Sequence, residues 1–253
     1  MTRSSPTTAQ PIVIFGGFLS FTMLYWDMHD ALVQLTGQPV HIVEMRGHDW
    51  IPSIAPPGWI PLLRKLERTV HQAVRESPTG KVTLIGHSAG GLLGRLYLSP
   101  KPFLGHAYRG LEYVDHLITL GTPHYDRRKL LYGGWLTRWV NNRYPDAYFA
   151  PQVRYTSVAG KALRGNPHGD LRERHVYVFY KEVLGEGDVW GDGLVPVESA
   201  LLEGAHQIIL EGVSHFTGFG GPWYGAAEVV PRWWKIATQD HPSREGDKAL
   251  VIN

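Results

Sequence analysis

The chain has 253 residues, 43% of them hydrophobic and 19% charged, with a net charge of +2 and no cysteine. That balance excludes a disordered chain, gives no electrostatic case for a nucleic-acid partner, and rules out disulfides, thiolate chemistry and cysteine-held metal. Residues 1–11 (MTRSSPTTAQP) lack the apolar stretch of a signal peptide, and no apolar run reaches membrane-spanning length. The expectation is a cytoplasmic protein with no transmembrane segment: a flexible N-terminus over residues 1–10, then a single domain over 11–253.

Residues 11–15 (PIVIF) read as a first strand, ending on Gly16-Gly17, and 40–44 (VHIVE) as a second. Residues 60–76 predict a helix, with Leu63, Leu66, Val70, Ala73 and Val74 on one stripe. A third strand at 81–86 (KVTLIG) runs into a glycine-rich turn and an apolar helix over 89–98. Strands follow at 116–121 (HLITLG), 154–160 (RYTSVAG) and 207–213 (QIILEGV). The segment 224–238 predicts a helix broken or started at Pro231. Several strand runs are apolar throughout, as parallel strands covered on both faces require. Strands alternating with helices predict an α/β fold with a mostly parallel central sheet flanked by helices. Two segments interrupt the alternation: an aromatic-rich insertion at about 123–152, expected to cap a pocket, and a second excursion at about 161–191.

The turn after the third strand is GHSAGG, residues 86–91. A G-x-S-x-G match is weak alone, but here it sits between a buried strand and a helix. That setting holds a serine, Ser88, strained and exposed beyond the strand ends; a glycine-rich turn capped by a serine is the plainer reading. A serine hydroxyl needs a base, and the base an orienting acid, in the chain order serine, acid, histidine. His215 follows the strand at 207–213 and falls on the same sheet edge as Ser88. His206 precedes that strand and would point from the opposite edge, and His241 lies in a polar tail. For the acid, Asp192 in the Gly-Asp-Gly turn is chosen over Asp188 and Asp170, although such a turn also occurs with no further task. The backbone N–H groups of Ala89 and Phe18 are the candidate oxyanion donors. A glycine-rich strand end fits residues 16–18 equally well. Trp135, Leu136, Trp139 and Val140 recur at helical spacing, as core packing or as an apolar pocket wall. His87, Trp135, Trp139 and Phe216 are the expected pocket residues, and His124 is expected to be structural.

Four stretches, GHSAGG (86–91), LGTPH (120–124), GDGLVP (191–196) and GVSH (212–215), resemble the serine lipases and esterases of the α/β-hydrolase superfamily, and RGHDW (46–50) is similar to a loop common there. The resemblance covers roughly residues 11–238. It is nearest to bacterial lipases and to plant and cyanobacterial hydrolases of unsettled activity. It implies an α/β-hydrolase fold with Ser88 as nucleophile, Asp192 as acid, His215 as base, and Phe18 and Ala89 at the oxyanion hole. Many relatives carry His-Gly where this chain has Gly16-Gly17. The implied reaction is carboxylic ester hydrolysis on a small-molecule ester or lipid, without cofactor or metal; no H-E-x-x-H spacing occurs. An acyltransferase using the same acyl-enzyme, or a silent scaffold binding a ligand or partner, are the alternatives.

Overall fold

The first strand, β1 (Ile12–Phe15), is buried at all four positions, and its side chains divide between two cores. Val13 and Phe15 join one apolar cluster, Ile12 and Ile14 the other. The period-2 alternation of a strand thus lands on apolar residues both ways, which only an interior strand allows. The computed structural model describes residues 10–128, 132–219, 221–239 and 249–253. The expected N-terminal tail, His241 and a small part of the 123–152 insertion lie outside the described residues.

After β1 come α1 (Trp26–Thr36), β2 (Val40–Ile42), α2 (Trp59–Glu76), β3 (Val82–His87), α3 (Ala89–Tyr97), β4 (Val114–Leu120) and α4 (Tyr132–Arg143). The second half holds β5 (Arg154–Lys161), β6 (Leu163–Arg164), α5 (Leu171–Leu184), β7 (Trp190–Gly191), α6 (Val197–Ala200), β8 (His206–Glu211), α7 (Val230–Ala237) and β9 (Leu250–Ile252). Seven strands pair in the order β2-β1-β3-β4-β5-β8-β9, all parallel. Helices cover both faces: α2 and α3 pack on the cluster that holds Val13, and α1 and α7 on the one that holds Ile12. The fold is therefore α/β, a mostly parallel sheet flanked by helices.

The six strands expected from sequence all enter this sheet. The expected helix at 60–76 is α2, whose buried stripe runs Trp59, Leu62, Leu63, Leu66, Val70 and Ala73. Of the two readings of Pro231, the second holds: α7 starts at Val230 with the proline in its first turn. The segment 161–191 contains the short antiparallel pair β6–β7 and α5. β9 was not anticipated.

Strand order sets where a site can form. β1 connects outward to β2, and the next strand, β3, pairs on the other side of β1. The chain leaves β1 for α1 on one face and β3 for α3 on the other, and a crevice forms at the carboxyl ends of these strands, where the two turns meet.

Three histidines are built into this frame as neutral groups. Burial pushes His87 and His124 well below the ordinary histidine range, aided by His215 and Arg95 respectively, and takes His116 down to about 3, aided by Arg154 and His206. A folded pKa below the unfolded value means that the unfolded chain binds the extra proton. Stability is thus full above about pH 6.5 and is lost as pH falls below it, by about 1.4 kcal/mol per pH unit for each proton. With three such groups, urea unfolding should lose about 4 kcal/mol between about pH 7.5 and about pH 5.5. His116→Gln should reduce that loss by about a third. A stability curve level across this window would contradict the assignment.

Candidate active site

Ser88 stands between β3 and α3 with φ 53° and ψ −127°, a backbone conformation that side chains with a Cβ rarely adopt. Its amide donates to the Leu120 carbonyl at 2.9 Å, and its carbonyl accepts from the Gly91 amide at 3.1 Å. The loop after β1 interlocks with this turn. A methyl group at Gly90 would strike the carbonyls of Phe15 and Gly16, and one at Gly17 would lie 2.6 Å from Ser88 Cβ. Glycine at both positions lets the two backbones touch, which brings the Gly17-Phe18 loop against Ser88.

Asp192 is fully buried, and its two carboxylate oxygens have separate tasks. Oδ1 accepts from the amides of Leu194 and Val195, at 3.0 and 2.7 Å. Oδ2 accepts from His215 Nδ1 at 2.7 Å and from the Tyr224 hydroxyl at 2.8 Å. One residue thus closes the Gly-Asp-Gly turn with one oxygen and holds the histidine with the other. Burial and the adjacent Asp192 carboxylate push Tyr224 well above the ordinary tyrosine range, so it stays a donor. The backbone adds a further tie, His215 N to Asp192 O at 2.8 Å.

Ser88, Ala89, Phe18, His87, His215 and Phe216 line one cavity of about 680 Å³. Neither Ser88 Oγ nor His215 Nε2 makes a hydrogen bond among the described residues, as is common before substrate closes a site. Trp50, Trp59, Leu92, Leu93 and Leu136 make its walls apolar. Trp50 is brought there by the RGHDW loop, in which Asp49 accepts from the Arg46 amide and from Lys65 Nζ and so closes the turn. At the rim Leu19, Met23 and Leu24 are exposed, as is Phe216 at 42%. Arg128 also lines the cavity, gripped by the buried Asp126 carboxylate at 2.6 Å.

Two expected pocket residues need correction. Neither Trp135 nor Trp139 lines the cavity; Leu136, between them on α4, does. Trp135 points to solvent at 44% exposure. Trp139 packs edge-on against Trp59 and Phe103, with the Arg143 guanidinium 3.9 Å from its ring centre. Helical spacing identified the stripe, but the docking of α4 turned Leu136 and Val140 inward. His124 is structural: fully buried, it bonds Thr119 and the Arg95 guanidinium. The rejected acids have other work, since Asp170 caps α5 and Asp188 pairs with Arg164 at the surface. His206 begins β8, at the far edge of the sheet from Ser88.

The sequence reading missed Tyr224 and Tyr25, both buried beside this cluster. Neither lies in a periodic or turn pattern, so no local signal marks them. A larger hollow of about 810 Å³ lies between α1, β2 and α2, lined by groups such as His29, His41, Glu44 and Lys65. None of Ser88, Asp192 or His215 lines it. Among the described residues no cluster of three or more histidine or carboxylate groups is placed to hold a metal, and no helix is long and apolar enough to cross a membrane.

The fold is similar to that of the mature Bacillus licheniformis lipase BlEst2, at 16% identity and a TM-score of 0.54, covering 94% of this chain and 96% of that one. It also matches Aspergillus fumigatus lipase B (13% identity, TM-score 0.42, 60% and 37% covered) and the RedJ thioesterase of Streptomyces coelicolor (17%, 0.36, 64% and 78%). At these identities the likeness is one of fold. No curated protein matches the sequence. The model of the alpha/beta hydrolase family matches residues 12–231, most of the chain, and with the parallel sheet and the switch-point crevice this establishes that the protein belongs to the alpha/beta hydrolase family.

Proposed function

We propose that the protein is a serine hydrolase that cleaves carboxylic esters. Ser88 Oγ attacks the ester carbonyl carbon while His215 Nε2 takes its proton. Asp192 Oδ2 holds the Nδ1 proton, which leaves Nε2 bare and stabilises the imidazolium that forms. The Phe18 and Ala89 amides face the developing oxyanion. Collapse of the tetrahedral adduct expels the alcohol, protonated by His215. Water, activated by the same histidine, then releases the acid from Ser88. The observation that carries this reading is the buried His215–Asp192 bond of 2.7 Å in the same cavity wall as a serine at φ 53°. The apolar walls favour an ester with an apolar acyl or alcohol group.

The test is hydrolysis of p-nitrophenyl esters of increasing acyl length, with a fluorophosphonate probe run in parallel. Turnover should rise from acetate to a medium chain as apolar surface is buried, by about threefold to fourfold in kcat/KM per methylene while the cavity accepts it. Added alcohols separate hydrolysis from acyl transfer: an ester product in their presence would make the protein an acyltransferase. Absence of both turnover and probe labelling would leave a silent scaffold.

A further inference from the structure

Two buried side chains between the oxyanion loop and the base have no task in this mechanism. Tyr25, 2% exposed, ends the 3-10 turn before α1, and His87, 5% exposed, ends β3. The Gly17 amide donates to Tyr25 Oη at 2.9 Å. Tyr25 Oη meets His87 Nδ1 at 2.9 Å, and His87 Nε2 meets the His215 carbonyl oxygen at 3.2 Å.

The two ends of this chain fix its direction. A backbone amide can only donate and a carbonyl oxygen can only accept. His87 must therefore carry its proton on Nε2 to reach the His215 carbonyl. In a neutral ring that leaves Nδ1 bare, ready to accept from the Tyr25 hydroxyl. Each donor then meets one acceptor. A proton added to Nδ1 would face a hydroxyl that already accepts from Gly17 and would strand the hydroxyl hydrogen; burial and the neighbouring His215 oppose that protonation. The ring has little room to turn away, packed between His215 and Trp223 at centroid distances of 4.7 and 5.7 Å.

The chain reaches three separate pieces of the site. Gly17 precedes Phe18, His87 precedes Ser88, and the far end is the backbone of His215 itself. Resting on the hydrolase reading above, we propose that Tyr25 and His87 are positioning residues, a clamp that holds the oxyanion loop, the nucleophile turn and the base at one fixed separation. It also commits the Gly17 amide to Tyr25 rather than to the oxyanion. Neither residue touches substrate in this role; both act through the backbone atoms they hold.

Tyr25→Phe tests it with little change in volume. It removes one hydroxyl and leaves the Gly17 amide and His87 Nδ1 without partners. The expected result is a fall in kcat of about tenfold to a hundredfold, with KM within about threefold, because small displacements of reacting groups act on the chemical step. His87→Gln should fall similarly. The double variant should fall no further than the worse single, since both break one chain. Losses that multiply, or a lowered melting temperature with kcat unchanged well below it, would reduce the pair to ordinary packing and overturn the clamp.

Histidine 15N spectra supply a readout independent of turnover. Wild type should show His87 as the neutral Nε2–H tautomer at pH values where an unburied histidine is already protonated, and Tyr25→Phe should shift the His215 resonances. An Nδ1–H tautomer, or His215 signals indifferent to Tyr25→Phe, overturns the clamp even if no ester is hydrolysed. Wild type inert to every ester and to the phosphonate probe overturns the hydrolase reading instead, with the spectra still deciding the clamp.

Discussion

Replacing Ser88 by alanine should lower ester turnover by about 10⁴-fold or more and leave the melting temperature nearly unchanged, whereas Ser88→Gly should lose turnover equally and melt higher. The two variants separate the hydroxyl from the strain. Both remove Oγ, so neither can form an acyl-enzyme. Alanine keeps the Cβ that makes φ 53°, ψ −127° unfavourable, so the turn stays as strained as before. Glycine adopts that conformation without penalty. It gives back part of the gain through the larger entropy of its unfolded chain, for a net stabilisation of about 1 kcal/mol, or roughly 2–4 °C in a domain of this size. The strain would then be something that the fold carries for the sake of the nucleophile's placement, at a point fixed by Leu120 and pressed by Gly17. Turnover by Ser88→Ala within about a hundredfold of wild type would remove Ser88 from the reaction. A glycine variant that melts lower than the alanine one would remove the strain argument but not the nucleophile.

What the sequence disclosed follows from where information is local. An interior parallel strand must be apolar on both faces, so runs such as IVIF and VTLI declare themselves without any tertiary context. The G-x-S-x-G turn between a buried strand and a helix points to Ser88, and because all carboxyl ends of a parallel sheet share an edge, chain order and strand polarity favour His215 over His206 as its partner. Asp192 stood out as a turn residue, and the structure shows why that signal was ambiguous: one oxygen makes the turn and the other reaches the histidine. β9 is a three-residue, largely exposed edge strand inside the short apolar run ALVI (249–252), which follows a polar stretch and carries no turn signal of a sheet strand. α5 was more legible than the reading made it. Asp170 and Glu173 form a reciprocal cap and Gly185 ends the helix at φ 89°, signals visible in DLRE and LGEG. Trp135, Trp139, Tyr25 and Tyr224 mark the limit. Which face of α4 turns inward depends on how the helix docks, and which hydroxyl meets Asp192 depends on residues far apart in the chain.

Asp192→Asn puts the division of labour on that residue to a direct test, and turnover should fall by about 10⁴-fold. The carboxylate accepts on both oxygens, whereas an amide accepts on one and donates on the other. If the amide nitrogen faces His215, it donates to Nδ1 and forces the ring proton onto Nε2. His215 then has no lone pair for the Ser88 proton, and the Tyr224 hydroxyl faces another donor. If instead the nitrogen faces the turn, it opposes the amides of Leu194 and Val195, two donors left without their acceptor at a cost of about 1–3 kcal/mol each. The histidine keeps its tautomer in that orientation but loses the negative charge that stabilises the imidazolium. The first orientation preserves the turn and removes the base; the second preserves the tautomer and loosens the turn. A variant that is inactive yet melts close to wild type therefore reports the first, and one that is inactive and melts several degrees lower reports the second. Asp188→Asn and Asp170→Asn are the controls. The first weakens a surface pair and the second leaves a capping oxygen on α5, and neither should change kcat by more than about twofold. Should Asp192→Asn keep its turnover while one of these loses it, the acid has been assigned to the wrong turn.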